Sequence, residues 1–329
     1  MKIKRAVKCA AIKKQLEEVL EVAEKASIKG LEIQEIFPPI EDSSFEKRAK
    51  PIMEVFRRYP LDSLAYHFPL PPRPFLDDFS KCKYFDLTLE EGKYIFDLTE
   101  DTIKEAALLG ETLNIKTEIP IIVHLFGVVT PDKITEEEKE KRLERGKKRL
   151  LELKETADYY SQKTGLKLVI TRENNPPEHG KVQALLDFHP KDTIKTYNLG
   201  IGTCLDFAHL WLNKLYWEKG KGEFLGVDLN KSLLPNFDLE EIIKDVTPSL
   251  EIIHLNDAGP EYRQPFEGLE IGKGNLPHSL VIPSICSKLK KDIIGTYEIK
   301  YGHEDPESML RSDQFYRVLF GQKFNEYFQ

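Results

Sequence analysis

The sequence predicts an α/β chain folded as a single-domain (β/α)8, or TIM, barrel over residues 1–329. Three observations carry this. Eight short apolar, β-branched runs recur along the chain, amphipathic helical patterns separate several of them, and acids or histidines stand at the carboxy-terminal ends of six. With 329 residues and 40% hydrophobic content, the chain has the length for a barrel of about 250 residues plus insertions.

The strand-like runs are AVKCA near residue 8, LEIQEI at 31, LAYHF at 64, IPIIVHLFG at 119, LKLVITREN at 166, GTCLDFAH at 202, LEIIHLND at 250 and DIIGTYEIK at 292. Helical periodicity covers 12–27, 97–114, 135–163, 208–218 and 278–290, the alternation expected of βα units around a parallel sheet. Within the third helix, EEEKEKRLERGKKRLLELKE alternates its charges around leucines at helical spacing and reads as a solvated outer face. Segments 37–50 and 68–80, the latter with PLPPRP, read as loops placed to cover the barrel mouth. No internal repeat or low-complexity linker interrupts the pattern.

The 48 basic and 55 acidic side chains give a net charge of −7, which argues against non-specific nucleic-acid binding as the main activity. The amino-terminal MKIKRAVKCAAIKKQLEEVLE is too short and too charged for a signal-peptide core or a membrane span, so a cytoplasmic protein without membrane partners is expected. Cys9, Cys82, Cys204 and Cys286 lie far apart and form no CxxC pair, suggesting neither disulfides nor a thiolate zinc site; each reads as a small buried apolar residue.

Chemistry concentrates at the ends of the runs. His67, His124, Glu173, Asp206 with His209, His254 and Glu298 each close a strand-like segment. The carboxyl ends of barrel strands converge on one face, so residues distant in sequence meet in one cavity there. Taken singly, a strand histidine is more often a hydrogen-bonded core residue, and a lone glutamate a surface charge. Repetition over six strands reverses that, because carboxylates buried without partners cost several kcal/mol each and a cation relieves the cost. Imidazole and carboxylate donors without thiolates suit zinc, manganese, cobalt or iron, and a shared carboxylate permits two ions. His179, His189, His278 and His303 lack this placement and read as loop or surface residues.

At these positions the sequence resembles the endonuclease IV and xylose isomerase-like superfamily (AP endonuclease family 2) from about residue 30 to 320. The likeness rests on G-T-C-L-D-F-A-H at 202–209, H-L-N-D at 254–257, I-G-K-G at 271–274 and R-E-N-N at 172–175. The resemblance implies one metal on His67, His124 and Glu173, and a second on Glu173, Asp206, His254 and Glu298, bridged by Glu173; zinc or manganese is the implied ion. His209 matches a ligand of a third zinc in endonuclease IV, whose partners would fall on Phe266 and Gly268, with Glu267 between them; that site is therefore absent or altered. The aromatic and leucine that wedge into duplex DNA fall on Leu70 and Pro71.

Two functions from different classes follow. The leading reading is an endonuclease IV-like, two-metal hydrolase of a phosphodiester or similar ester, favoured by His67 and His124. The alternative is a sugar or sugar-phosphate isomerase or epimerase, with Glu173 and Glu298 as proton-transfer pair and His209 holding a substrate oxygen. A non-catalytic relative that keeps metal for stability is a third. The missing third site, the lost wedge and the acidic charge point to a small anionic or sugar-like substrate rather than duplex DNA. Arg73, Arg172 and Arg263 are candidates to hold one or two phosphates.

Overall fold

A computed structural model describes residues 1–10, 13–34, 53–69, 79–125, 128–129, 135–176, 178–179, 182–184, 190–218, 223–224, 227–228, 238–259, 268–300, 302 and 304–329. All eight expected strands form: β1 (Ile3–Ala10), β2 (Gly30–Gln34), β3 (Ser63–His67), β4 (Ile119–Val123), β5 (Leu168–Glu173), β6 (Gly202–Asp206), β7 (Leu250–Leu255) and β8 (Ile293–Tyr297). They pair in chain order, all parallel, and β8 closes on β1 through Ile3↔Ile293 to Val7↔Tyr297. This is a closed eight-stranded TIM barrel.

Strand alternation sorts side chains between two environments. Leu64, Tyr66, Ile121, Val123, Ile253 and Leu255 face outward into the large core shared with the helices. Ala6, Ala65, Ile122, Cys204, Ile252 and Ile294 face inward as a separate apolar layer filling the barrel. Two residues further along the same inward-facing rows stand Lys8, His67, His124, Asp206 and His254. The apolar layer is thus the floor of the site.

Around the strands run α1 (Lys13–Lys25), α2 (Lys93–Thr112), α3 (Glu136–Thr164), α4 (Phe207–Glu218), α5 (Leu239–Val246), α6 (His278–Cys286) and α7 (Glu307–Phe320). Helix α3 starts where Thr135 Oγ1 accepts from the Glu138 N–H at 3.1 Å and stops at Gly165, whose φ of 74° suits a left-handed cap. Helix α6 ends at Cys286, short of the expected residue 290, with Pro283 inside it. Helices α5 and α7 lie outside the sequence expectations, although Asp238 caps α5 by accepting from the Glu240 and Glu241 N–H groups.

The charged run of α3 is not wholly solvated. Arg142 is buried, donating to Asp86 Oδ2 at 2.9 Å, and Arg145 donates to the Thr88 carbonyl. These arginines hold the segment before α2. The four cysteines form no disulfide, and Cys9, Cys82 and Cys204 are buried. Burial pushes the Cys9 and Cys82 thiols up to about 12. The segments expected to cover the mouth, 37–50 and most of 68–80, lie outside the described residues. No described helix is long and apolar enough to cross a membrane.

Candidate metal centre

Each strand end delivers one side chain to the axis. His67 (β3), Glu173 (β5), Asp206 (β6) and His254 (β7) are at most 2% exposed as residues, as is His124 just beyond β4, whereas the Glu298 side chain beyond β8 is 25% exposed. Three donor groups share Glu173: His67, His124 and Glu173; Glu173, Cys204 and His254; and Glu173, Asp206, His254 and Glu298. Within each, ligand atoms lie within 4.8 Å of one another. The structure brings together every residue the sequence proposed as a ligand.

Glu173 sits at the centre. Its Oε2 lies 3.2 Å from His67 Nε2 and 3.0 Å from His124 Nε2; its Oε1 lies 3.1 Å from His254 Nδ1 and 3.5 Å from His209 Nδ1. Asp206 Oδ2 is 3.5 Å from His254 Nδ1, and Glu298 Oε2 makes a short contact with the same nitrogen. That Glu298 oxygen is buried and receives no hydrogen bond. Asp206 is fixed by the His209 N–H on Oδ1 and the Asn256 amide on Oδ2, both at 2.7 Å.

The far nitrogens of the rings decide the tautomers. His67 Nδ1 faces the Phe68 carbonyl at 2.8 Å, and a carbonyl only accepts, so Nδ1 donates. His124 Nδ1 donates to Asn175 Oδ1 at 2.7 Å, and His254 Nε2 to Glu32 Oε2 at 3.0 Å. A neutral ring with that nitrogen protonated then points a lone pair at a carboxylate oxygen on its other side. That is repulsive unless a proton or a metal lies between, and imidazole held by an outer acceptor is the usual arrangement of a metal-binding histidine. The donor set therefore fits a divalent cation.

Electrostatics agree. Burial alone would raise the Glu173 carboxyl, but His124 and His254 outweigh it and hold it well below the usual range. Burial would lower His254, but Cys204, Glu298, Glu32 and Glu173 raise it well above its ordinary value. Burial lowers His67, with Lys8 adding to the effect against Glu173.

Two residues with no sequence-level role join the cluster. Lys8 reaches in from β1, its Nζ 2.5 Å from Glu298 Oε1 and 3.0 Å from Glu32 Oε1. Glu32 on β2 bridges Lys8 and His254, and is fully buried. Burial raises the Glu32 carboxyl, but His254 and Lys8 hold it down at about 2. Glu298, Glu32 and Glu173 keep Lys8 above its ordinary range despite burial. The available signal was the inward alternation Ala6, Lys8 in β1 and Gly30, Glu32 in β2.

His209 lies at the cluster's edge, its side chain 13% exposed, with Nδ1 donating to the Asn174 carbonyl at 2.8 Å. Among the other histidines, His278 is a correction: it is buried, bonded to the Tyr316 hydroxyl at 2.9 Å, because α6 packs it against α7. His189 and His303 and the His179 side chain lie outside the described residues. Arg172 is also corrected. Adjacent to Glu173, it points to the opposite face of β5 and donates to the Asp192 carbonyl at 2.6 Å, away from the cluster. Arg73, Arg263, Leu70, Pro71, Phe266 and Glu267 lie outside the described residues.

The I-G-K-G motif is explained by packing. Asp257 accepts four backbone N–H bonds, from Ala258 and Leu276 on Oδ1 and from Gly272 and Gly274 on Oδ2. A Cβ at Gly274 would come within 2.2 Å of the Ala258 carbonyl oxygen, and Gly272 has φ 91°. Asp257 thereby ties this loop to the end of β7, next to Asn256 and its bond to Asp206.

Fold and cluster together define a (β/α)8 barrel with carboxylates and imidazoles gathered at the carboxyl ends of its strands. Its architecture is that of a TIM barrel. No protein-family model and no curated protein matches the sequence. Among solved structures, a D-tagatose 3-epimerase-like protein is 16% identical with a TM-score of 0.62, covering 98% of this chain and 99% of that one. The apo 3-keto-D-glucoside 4-epimerase YcjR from E. coli is 13% identical with a TM-score of 0.58, over 96% and 98%. IolI with a bound zinc atom is 14% identical with a TM-score of 0.57, over 97% and 99%. At these identities the likeness establishes the fold.

Proposed function

We propose that this chain is a divalent-metal-dependent isomerase or epimerase of a small polyhydroxylated ketone, with Glu173, Asp206, His254 and Glu298 holding the ion. The alternative reading of the sequence thereby displaces the endonuclease-like one. The observation that carries it is the four-donor set in which Glu173 is enclosed and Glu298 is partly open to the mouth. The names of two similar structures, one an epimerase and the other epimerase-like, support the same class.

When bound, the ion supplies Lewis acidity toward a ketone oxygen and its neighbouring hydroxyl, acidifying the carbon-bound proton between them. Glu173 and Glu298 come from strands on different sides of the barrel axis, so a substrate seated between them meets a carboxylate on each face. One removes the proton from carbon; the other returns a proton to the opposite face. His209 Nδ1 is committed to the Asn174 carbonyl, so Nε2 is the ring atom that accepts from a substrate hydroxyl. The test is deuterium uptake by a ketose panel in D2O with manganese or zinc, followed by NMR. Exchange at the carbon next to the carbonyl, lost at least a hundredfold in Glu298→Gln, is expected. No exchange with any ketose in the metal-loaded protein sinks the reading.

A second reading keeps one specific support. His67 and His124 converge on the Glu173 oxygen turned away from His254, forming a further donor trio. Two ions bridged by Glu173 would suit ester hydrolysis, and turnover of bis(p-nitrophenyl) phosphate without ketose exchange would favour it.

A further inference from the structure

Lys8 places a buried ammonium directly beside the donor group. Its ammonium is 2.5 Å from Glu298 and 3.0 Å from Glu32, its side chain is 9% exposed, and β1 carries it there on the inward row above Ala6. Glu32, Glu173, Asp206 and Glu298 are four carboxylates around one barrel axis, linked through His254. Buried carboxylates at this density repel one another, and an ion pair that is broken on one side leaves an uncompensated buried charge.

We propose that Lys8 is the resident cation of this centre, a positioning residue that holds Glu298 and Glu32 in place before a divalent ion arrives and thereby limits how tightly that ion is bound. By occupying Glu298 Oε1 it leaves Oε2 as the oxygen turned to His254 Nδ1 and the donor group. By gripping Glu32 Oε1 it leaves Oε2 to hold the His254 ring. The lysine is thus a built-in counterion that lets the barrel close without metal, at a cost in metal affinity, since two cations share the same carboxylate. This inference rests on the cluster being a metal site, not on the reaction it performs.

The experiment compares full-length wild type, Lys8→Met and the charge-balanced Lys8→Met/Glu32→Gln, each titrated with manganese by calorimetry and melted in chelator and in excess manganese. Lys8→Met is expected to bind manganese at least tenfold tighter, while its melting temperature in chelator falls by roughly 5–10 °C and is largely restored by the ion. The double variant removes one charge of each sign, so its affinity is expected to return to within about tenfold of wild type. A residue with a merely structural role would weaken binding when removed. Unchanged or weaker manganese binding by Lys8→Met, with wild type binding normally, overturns the inference and leaves the metal centre standing. If Lys8→Met fails to fold, a double variant that folds and binds more than tenfold away from wild type overturns it. No manganese or zinc binding by wild type overturns the metal centre and the inference together.

Discussion

Glu32→Gln perturbs the centre without removing a proposed ligand. In the wild type, the Glu32 carboxylate accepts from His254 Nε2 at 3.0 Å and faces the Lys8 ammonium at 3.0 Å, with no exposure to solvent. Glutamine keeps the shape and a carbonyl oxygen to accept the His254 N–H, but removes the negative charge that makes Nδ1 a stronger donor. Loss of such an outer carboxylate weakens metal binding by about 10–100-fold, or about 1.4–2.7 kcal/mol. Stability in chelator should change little, because the substitution costs Lys8 one counterion while relieving repulsion from Glu298. The assay is manganese or zinc titration followed by calorimetry, beside urea unfolding in chelator. Affinity within threefold of wild type, in a folded variant, would refute the claim that Glu32 acts on the ion through His254.

The metal centre should bind its ion more weakly as pH falls. His254 is held above its ordinary pKa without metal, so at neutral pH the ion must displace a proton from it; affinity then rises by about tenfold per pH unit until His254 is neutral. A flat affinity between pH 6 and 8 would contradict this, and isothermal titration in two buffers of different ionisation enthalpy counts the proton released. Joint His67→Ala and His124→Ala substitution should leave ketose proton exchange within about tenfold while removing any second metal equivalent; complete loss of exchange would return weight to the two-metal reading. Asp257→Asn should destabilise the protein, because an amide nitrogen cannot accept two of the four N–H bonds this carboxylate receives; at 1.5–3 kcal/mol each the loss is about 3–6 kcal/mol by urea unfolding. A loss under about 1 kcal/mol would show that the loop tie is unimportant.

The eight strands and the line of donors at their ends were legible because a parallel barrel repeats one pattern: a β-branched run, then a polar residue at its carboxyl end. His67, His124, Glu173, Asp206, His254 and Glu298 announce themselves by that position, and barrel closure obliges them to meet. Helix α5 was missed although LEEIIKDV is locally amphipathic behind its Asp238 cap, because eight residues give only about two turns of pattern; α7 was missed because burial of Met309 and Tyr316 holds it more than its local pattern advertises. His278 read as surface because nothing local reveals that Tyr316, 38 residues later, will cap its ring. The inner charge of the site was the least visible. A lysine in IKRAVKCA and a glutamate in GLEIQ look like solvent-facing strand residues, and burial of either alone would be prohibitive. Only folding brings Glu298 to Lys8 across 290 positions and His254 to Glu32 across 222, and those counterions make the interior habitable for both. Sequence alone thus determined which residues line the rim of the barrel, since strand ends are local features. Tertiary structure decided which charges lie beneath them, since a buried charge is tolerable only where distant partners arrive to neutralise it.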